Sequence, residues 1–172
     1  TVSYYGTGTY SSLALGDDYY HLTVAGNVTL DYQLSVLGNL NITGTLNSNG
    51  YNLYLAGNFN NSGTYTSGAN SVYLIGNHQT ITGSNTFNNL IKRNNTSASL
   101  TFPAGSTQTI SGTLELDGTA GDLLVLKSST SGSTWTINHT GSLKYLSYLN
   151  ISDSVSVSTL DAKSNSTNSG NN

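Results

Sequence analysis

The sequence predicts an all-β fold: a single-stranded parallel β-helix, or β-solenoid, with coils of about 19 residues. Three observations predict this fold. The composition suits strands and turns, a short motif recurs at a constant interval, and apolar residues alternate with polar ones around that motif.

The composition of the 172 residues favours one strand-rich domain with a weakly charged surface. Charged residues make up 8% of the chain, about a third of their usual share, so Ser, Thr, Asn and Gly must form most of the surface. The chain has 19 Gly but only one Pro, which indicates many tight turns without a proline-rich linker. Asn, Thr, Ser and Gly are poor helix formers, whereas the Val, Ile and Tyr residues suit strands.

A Gly-Asn pair follows a short apolar alternation four times, at Gly26, Gly38, Gly57 and Gly76. The second, third and fourth pairs are each 19 residues apart, which sets the length of the coil. The first interval is only 12 residues. This leaves two interpretations: a shortened coil, or two motifs on different sides of the same coil.

Residues one coil apart should stack when the coils stack, because one coil cannot bury its own inward face. We expect roughly eight or nine coils about 4.8 Å apart, in a rod on the order of 40 Å long. Gly and Asn are the residues that best tolerate the backbone angles of corners, and stacked Asn side chains can share amide hydrogen bonds. The predicted core ladder contains Leu34, Leu53 and Val72 beside Val36, Leu55 and Leu74, and the predicted corner ladder contains Asn39, Asn58 and Asn77.

Alternation also persists after residue 77, but at looser spacing, which predicts longer and less regular coils there. His78 falls on a position that is apolar in the earlier repeats, so we expect a one-residue slip at that point. A β-arch stack or a β-sandwich remains the alternative fold, because alternation alone does not distinguish them from a solenoid.

The alternations that end in Gly-Asn, the segment Thr86-Phe-Asn-Asn-Leu90 and the Asn-rich stretch 165–172 resemble the repeats of large secreted surface proteins of bacteria and archaea. The general architecture resembles the right-handed parallel β-helix of filamentous-haemagglutinin-type adhesins. The resemblance implies a parallel β-helix and an extracellular or cell-surface location. The resemblance does not extend to residues 1–21. From the distribution of residue types we expect residues 1–21 to form a Tyr-rich N-terminal cap or interface segment, residues 22–163 to form the β-solenoid, and residues 164–172 to form a polar C-terminal tail.

No constellation of catalytic or metal-binding residues is visible in the sequence. Polysaccharide hydrolysis needs paired carboxylates, and the only candidates are Asp17 with Asp18 and Glu115 with Asp117, which have no His or Arg beside them in sequence to tune their pKa values. The three histidines lack the spacing of metal ligands. We therefore predict a protein that is not an enzyme and has no cofactor.

Two sets of residues are candidate modification or contact sites. Tyrosine offers a large contact area with a polar tip, so the tyrosines near the start of the chain could cap the first coil or form an interface. The candidate self-assembly contacts are Tyr4, Tyr5, Tyr10, Tyr19 and Tyr20. The candidate N-glycosylation sites, which all begin an Asn-x-Ser/Thr sequon, are Asn27, Asn41, Asn60, Asn94, Asn95, Asn138, Asn150 and Asn165.

The expected function is that of a structural subunit of an extracellular filament, sheath or surface layer, whose main partners are copies of itself. An adhesin or carbohydrate-binding module, with Trp135 as an exposed contact for cell-surface glycans, is the alternative. A polysaccharide-degrading enzyme is less favoured. Nucleic acid is not an expected partner because the net charge is −3 and basic residues do not cluster, and no apolar run is long enough for a transmembrane segment.

Overall fold

The computed structural model describes residues 1–5, 18–163 and 165–172. These residues form a parallel β-solenoid of about eight turns, without a helix. No membrane-spanning helix is therefore present among them.

The strands are short, as expected for sides of a small coil. In chain order they are β1 (Val2–Tyr4), β2 (Asp18–Tyr19), β3 (Leu22–Val24), β4 (Asn27–Thr29), β5 (Leu34–Val36), β6 (Leu40–Ile42), β7 (Thr45–Asn47), β8 (Leu53–Leu55), β9 (Phe59–Asn61), β10 (Thr64–Thr66), β11 (Ser71–Leu74), β12 (His78–Thr80), β13 (Asn85–Phe87), β14 (Asn89–Arg93), β15 (Ala98–Phe102), β16 (Thr107–Ile110), β17 (Thr113–Asp117), β18 (Leu124–Ser128), β19 (Trp135–His139), β20 (Leu143–Ser147), β21 (Leu149–Ile151), β22 (Ser154–Ser156) and β23 (Thr167–Asn168).

Each coil contributes one strand to each of three sides, and every pair of neighbouring strands is parallel. One side is a single sheet of seven strands, which we call the long sheet, in the order β2-β5-β8-β11-β14-β17-β20. The first half of the chain completes its coils with the sheets β1-β3-β6-β9 and β4-β7-β10. The second half uses β12-β15-β18-β21-β23 and β13-β16-β19-β22.

The apolar residues of the long sheet stack in register along the inside of the coils. Leu34 lies against Leu53, and Leu53 against Val72. The neighbouring column contains Val36, Leu55 and Leu74 in the same register. Alternation turns these side chains inward, and all six are fully or almost fully buried.

The 12-residue interval between the first two Gly-Asn pairs has a geometric explanation. Leu22 pairs with Leu40, whereas Leu34 pairs with Leu53, so Leu22 and Leu34 lie on different sides of the coil. The Gly26-Asn27 pair therefore turns a different corner from the Gly38-Asn39 pair. The two motifs therefore lie on different sides of the same coil, and the coil is not shortened.

Corner glycines of successive coils approach each other closely. A β-carbon added to Gly57 would lie 2.2 Å from the carbonyl of Gly38, and one added to Gly63 would lie 2.1 Å from the carbonyl oxygen of Gly44. Neither distance leaves room for a side chain. At these corners glycine is therefore required by the stacking itself.

The coil lengthens from β12 to β20 and shortens again at the C-terminal end, where Trp135 stacks on Ser154. The interval between stacked residues is 19 for Asn39 and Asn58, 24 for Asn89 and Thr113, and 30 for Asp117 and Ser147. At the transition His78 is exposed, while its neighbour Gln79 is buried.

Strand pairing extends beyond residues 22–163 at both ends. At the N-terminal end, β1 pairs with β3 and β2 pairs with β5. At the C-terminal end, β23 pairs with β21 inside the stretch predicted to be a tail. Pairing within the chain itself therefore holds residues 167 and 168.

Candidate assembly surfaces

The two ends of the solenoid and the outer face of the long sheet are the surfaces that could take part in assembly. Among the described residues, the terminal strands β1 and β23 are each paired on one side only. The outer face of the long sheet carries stacked Tyr rings, with exposed Leu37 and Ile75 beside them.

At the N-terminal end, the predicted tyrosine contacts divide into two groups. Tyr4 and Tyr19 lie at the end of the core, with their hydroxyl groups 3.0 Å apart and their rings in an edge-to-face contact. Tyr5 and Tyr20 are exposed, by 75% and 69%. The first pair closes the core, and the second pair is placed for contacts outside the coil. Tyr10 lies outside the described residues.

Backbone groups of β1 alternate between the coil below and the open end. The Val2 N–H donates to the His21 carbonyl at 2.9 Å, and the Tyr4 carbonyl accepts bonds from Ala25 and Gly26. In a parallel strand the next residue points its N–H and C=O to the opposite side. The backbone groups of Ser3 therefore face away from β3, toward the N-terminal end.

The same alternation orients β23 at the C-terminal end. The Ser169 N–H donates to the Ile151 carbonyl at 2.8 Å, and Asn168 pairs with Ile151 in register. Residues 167 and 169 therefore direct their backbone groups back to β21, and Asn168 directs its N–H and C=O to the open end. Each end of the solenoid thus presents an unused strand edge in the described residues.

The core at the C-terminal end is not filled. A cavity of about 580 Å³ lies beneath the last coils, and its size is that of a typical binding pocket. The segment 157–163 crosses this end, where Leu160 and Ala162 pack against the core and Lys144 donates to the Thr159 carbonyl. The apolar walls of the cavity include Leu126, Trp135, Ile137, Leu146 and Leu149.

The outer face of the long sheet carries an aromatic stack. The rings of Tyr54 and Tyr73 are parallel, with their centroids 4.8 Å apart, and Ile91 follows them in the same column. Leu37 and Ile75 are exposed beside this column. Between Asp18 at the N-terminal end of the column and Glu115, the column has no charged residue. It is therefore an apolar stripe on an otherwise polar surface.

Trp135 does not lie on the surface, which corrects the expectation that it contacts glycans. Its ring is buried and stacks on Phe102 with the centroids 4.0 Å apart, and its indole N–H donates to the Ser152 carbonyl at 3.2 Å. The wider coils of the second half need large aromatic rings to fill their interior. The ring is thus packed against apolar groups, and its one polar group has a hydrogen-bond acceptor.

The carboxylates have local partners that the sequence alone did not indicate. Glu115 forms an ion pair with Arg93 on the neighbouring coil, and hydrogen bonding to Glu115 raises the pKa of Arg93. Asp117 accepts a bond from the Ser147 hydroxyl. Asp18 is exposed on β2, and its sequence neighbour Asp17 lies outside the described residues.

The histidines bind backbone or hydroxyl groups. His21 accepts the N–H of Asn39 at 2.7 Å, His139 contacts the Gly112 carbonyl at 2.9 Å, and His78 contacts the Ser99 hydroxyl. Among the described residues, no group of three metal-ligating side chains comes together.

The corner asparagines bond differently from the expected amide ladder. The side-chain oxygen of Asn39 accepts the backbone N–H of Asn58 at 3.0 Å, and the side-chain oxygen of Asn58 accepts the backbone N–H of Thr80 at 2.8 Å. Asn77 is instead 3.5 Å from the side-chain amide of Asn94. These corners are fixed by bonds from side chain to backbone.

An amide ladder does form, but at two residues predicted to be glycosylation sites. The Asn60 side-chain amide donates to the Asn41 side-chain oxygen at 2.9 Å, and Asn41 donates in turn to the Thr23 hydroxyl. A glycan on either amide nitrogen would compete with these bonds. Asn27 and Asn95 are exposed instead.

The remaining sequon asparagines are half-buried. The Asn94 amide donates to the Gly76 carbonyl, and the side-chain oxygens of Asn150 and Asn165 accept bonds from Ser169 and Tyr148. Asn138 is half-buried on β19. Glycosylation stays a prediction, and intact-mass measurement on protein purified from its native source would test it.

A buried lysine is the polar feature that sequence reasoning missed. Lys92 occupies the inward column beside Leu116 and is fully buried. Its ammonium group donates to the Gly76 carbonyl and to the Gln79 side-chain oxygen, at 2.5 and 2.8 Å. Burial lowers the pKa of Lys92 to about 8. The alternation that turns Leu90 inward also turns Lys92 inward, so the signal was present in the sequence.

Gln79 links this lysine to the coils on the N-terminal side. Its amide donates to the carbonyls of Leu55 and Gly57 at 3.0 and 2.6 Å, and its oxygen accepts the Gly76 N–H at 3.1 Å. Buried polar groups are tolerated when they are satisfied in this way. The network lies where the 19-residue coils are followed by longer ones. Its hydrogen bonds connect the two kinds of coil, which indicates a structural role.

Comparison with protein-family models, with curated proteins and with solved structures finds no match to this chain.

Proposed function

We propose that the protein is a structural subunit of an extracellular assembly, such as a filament, sheath or surface layer, and that it associates with copies of itself. Strand edges and Tyr-rich contacts carry the association. The observation that supports this most directly is that, among the described residues, β1 and β23 each present an unused strand edge at one end of the parallel stack. Unpaired edges of this kind are templates for pairing with another chain.

The surface composition also supports association. Only 8% of the residues are charged, so copies of the chain repel one another weakly. Exposed Tyr5 and Tyr20 lie near one end, and the stripe of Tyr54 and Tyr73 runs along one side. Tyrosine is frequent at protein interfaces because it buries a large area at low entropic cost.

A structural role agrees with the chemistry of the described polar groups. Glu115, Asp117 and Lys92 are engaged with neighbouring coils. The carbohydrate-binding alternative loses Trp135 as its contact, because that ring belongs to the core. An extracellular location follows from the resemblance to secreted surface repeats and is part of the proposal.

Sedimentation velocity over a concentration series, followed by electron microscopy, tests the proposed function. We expect a concentration-dependent shift to larger species and elongated particles whose width equals one solenoid. A chain that stays monomeric at all concentrations up to the millimolar range would contradict the proposal.

A further inference from the structure

We propose that copies join head to tail, with β23 of one copy pairing in parallel with β1 of the next. This inference rests on the proposed function and specifies the junction that it requires. It makes the assembly polar and open-ended, because one end of each copy binds the opposite end of its neighbour.

The direction of the strands favours this arrangement over any other pairing of ends. All sheets of the solenoid are parallel, so a copy placed along the same axis in the same direction continues them without a change of pattern. Two like ends would have to meet as antiparallel strands. The sheet that contains β1 and the sheet that contains β23 also lie on the same side of the coil, since Phe59 of the first bridges to Ile81 next to the second.

The unused backbone groups at the two ends are complementary. Ser3 of β1 directs its N–H and C=O away from β3, and Asn168 of β23 directs its own away from β21. Within this solenoid the backbone groups of inward residues point to the following coil, and those of outward residues point to the preceding coil. Asn168 is on the inward column and Ser3 is on the outward column, so the two edges fit.

The ends of the core are complementary as well. Val2 and Tyr4 are half-buried apolar residues at the N-terminal end of the core. The cavity of about 580 Å³ is the unfilled C-terminal end of the same core, and Asn168 forms part of its rim. Joining the two ends would continue the column of inward side chains and remove apolar surface from water. Neither β1 nor β23 contains a charged side chain that this burial would desolvate.

Cysteine cross-linking tests the junction, because the chain has no cysteine of its own. Ser3 and Thr167 are exposed and lie on the outward columns of β1 and β23. We propose the register that places Tyr4 opposite Asn168, in which the α-carbons of Ser3 and Thr167 would be about 5 Å apart, within the range of a disulfide. We expect a variant with both Ser3→Cys and Thr167→Cys to form a ladder of disulfide-linked oligomers when oxidised with diamide.

The matched control places the second cysteine on a side of the solenoid. The variant with Ser3→Cys and Thr136→Cys has its second thiol on β19, which is paired on both sides. It should give no ladder. Circular dichroism of both variants should match that of the unmodified chain, because the substituted side chains lie outside the core.

A backbone substitution gives an independent measurement. Ser3→Pro removes the N–H that faces the open end while it leaves the bonds of Val2 and Tyr4 to the next coil intact. We expect it to raise the concentration for half-association about tenfold, the effect of losing one well-placed interface contact. Ser3→Thr retains the N–H and should leave association unchanged.

The outcomes separate this inference from the proposed function. If the unmodified chain associates but the Ser3–Thr167 variant forms no ladder beyond the Thr136 control, the head-to-tail junction is overturned and self-association stands. Equal association by Ser3→Pro and Ser3→Thr would overturn the junction as well. If the unmodified chain does not associate, both proposals fail.

Discussion

The first half of the solenoid repeats itself, whereas the second half widens and then narrows again in its last coil. From β5 to β11 the stacked residues are 19 apart, the strands have three or four residues, and most inward positions are filled by Leu, Val, Ile, Phe or Tyr. From β14 to β20 the interval rises to 24 and then 30, and the strands have up to five residues. The two halves share the long sheet but not their cross-section.

A constant coil length allows the corners of successive coils to stack directly on one another. Where the length is constant, each corner rests on an identical corner, and pairs such as Gly38 and Gly57 can approach to backbone contact. Where the coil widens, the interior must be filled by larger or polar groups. The stacked rings of Phe102 and Trp135 and the buried Lys92 fill part of it, and the cavity at the C-terminal end is what they leave empty.

The largest effect should come from truncating the regular core. Leu53 is fully buried between Leu34 and Val72, so Leu53→Ala should cost about 2 to 5 kcal/mol of unfolding free energy. Leu149 is equally buried but lines the cavity. Leu149→Ala should cost at least about 1 kcal/mol less, because fewer packing contacts are lost there. Urea denaturation of both variants measures this, and equal costs would contradict the contrast between the halves.

The second effect is a pH dependence that originates at the junction between the halves. Burial lowers the pKa of Lys92 to about 8 from 10.5, so between these values the unfolded chain binds more protons and stability rises with pH. From pH 7.5 to 9.5 the unmodified chain should gain about 2 kcal/mol, and Lys92→Met should lack this gain.

Titration of Tyr65 should not alter stability appreciably between pH 7.5 and 9.5. Burial raises the pKa of Tyr65 to about 12, and the stability that this contributes is lost only as the pH rises above about 10. Urea midpoints measured at both pH values give the comparison. Equal slopes with pH in the unmodified chain and in Lys92→Met would show that Lys92 is not the source.

The third effect concerns the corners of the regular half. Gly57→Ala should cost about 1 to 3 kcal/mol, because the added methyl group meets the Gly38 backbone and the coils must separate to admit it. Ser62→Ala at a neighbouring exposed corner should change stability by less than about 0.5 kcal/mol. Thermal unfolding followed by circular dichroism can rank the two, and a neutral Gly57→Ala would contradict the close stacking of corners.

The smallest effect should come from the amide ladder. Asn60→Ala removes one half-buried hydrogen bond to Asn41 and should cost about 1 kcal/mol. Asn95→Ala, at an exposed sequon, is the matched control and should be close to neutral. If chemical denaturation gives the same free energy of unfolding for both variants, the amide ladder does not contribute to stability.

The regular half could be predicted from the sequence because two signals coincide there. Alternation assigned Leu34, Leu53 and Val72 to one face, and the 19-residue spacing of Gly-Asn placed them above one another. A constant period converts a local pattern into a contact between distant residues. The same information predicted the fold class but not the bonds of Asn39 and Asn58, since a corner amide can bond to a side chain or to the backbone.

The irregular half could be predicted only in outline. Adding residues to a loop costs little free energy, so coils can lengthen at turns such as 118–123 without leaving a periodic signal. Without a period, the sequence could not show that Trp135 stacks on Phe102 or that Arg93 meets Glu115. The position of Lys92 could have been predicted, because the alternation that turns Leu90 inward also turns Lys92 inward. The charge of lysine normally favours an exposed position instead.

Diffraction from oriented, assembled protein measures the direction of the strands relative to the long axis of the assembly. If subunits stack end to end with their parallel coils continuous, the strands lie across the long axis of the assembly. We therefore expect a reflection at about 4.8 Å along that axis. A reflection at this spacing perpendicular to the axis, or its absence from an ordered assembly, would contradict the account.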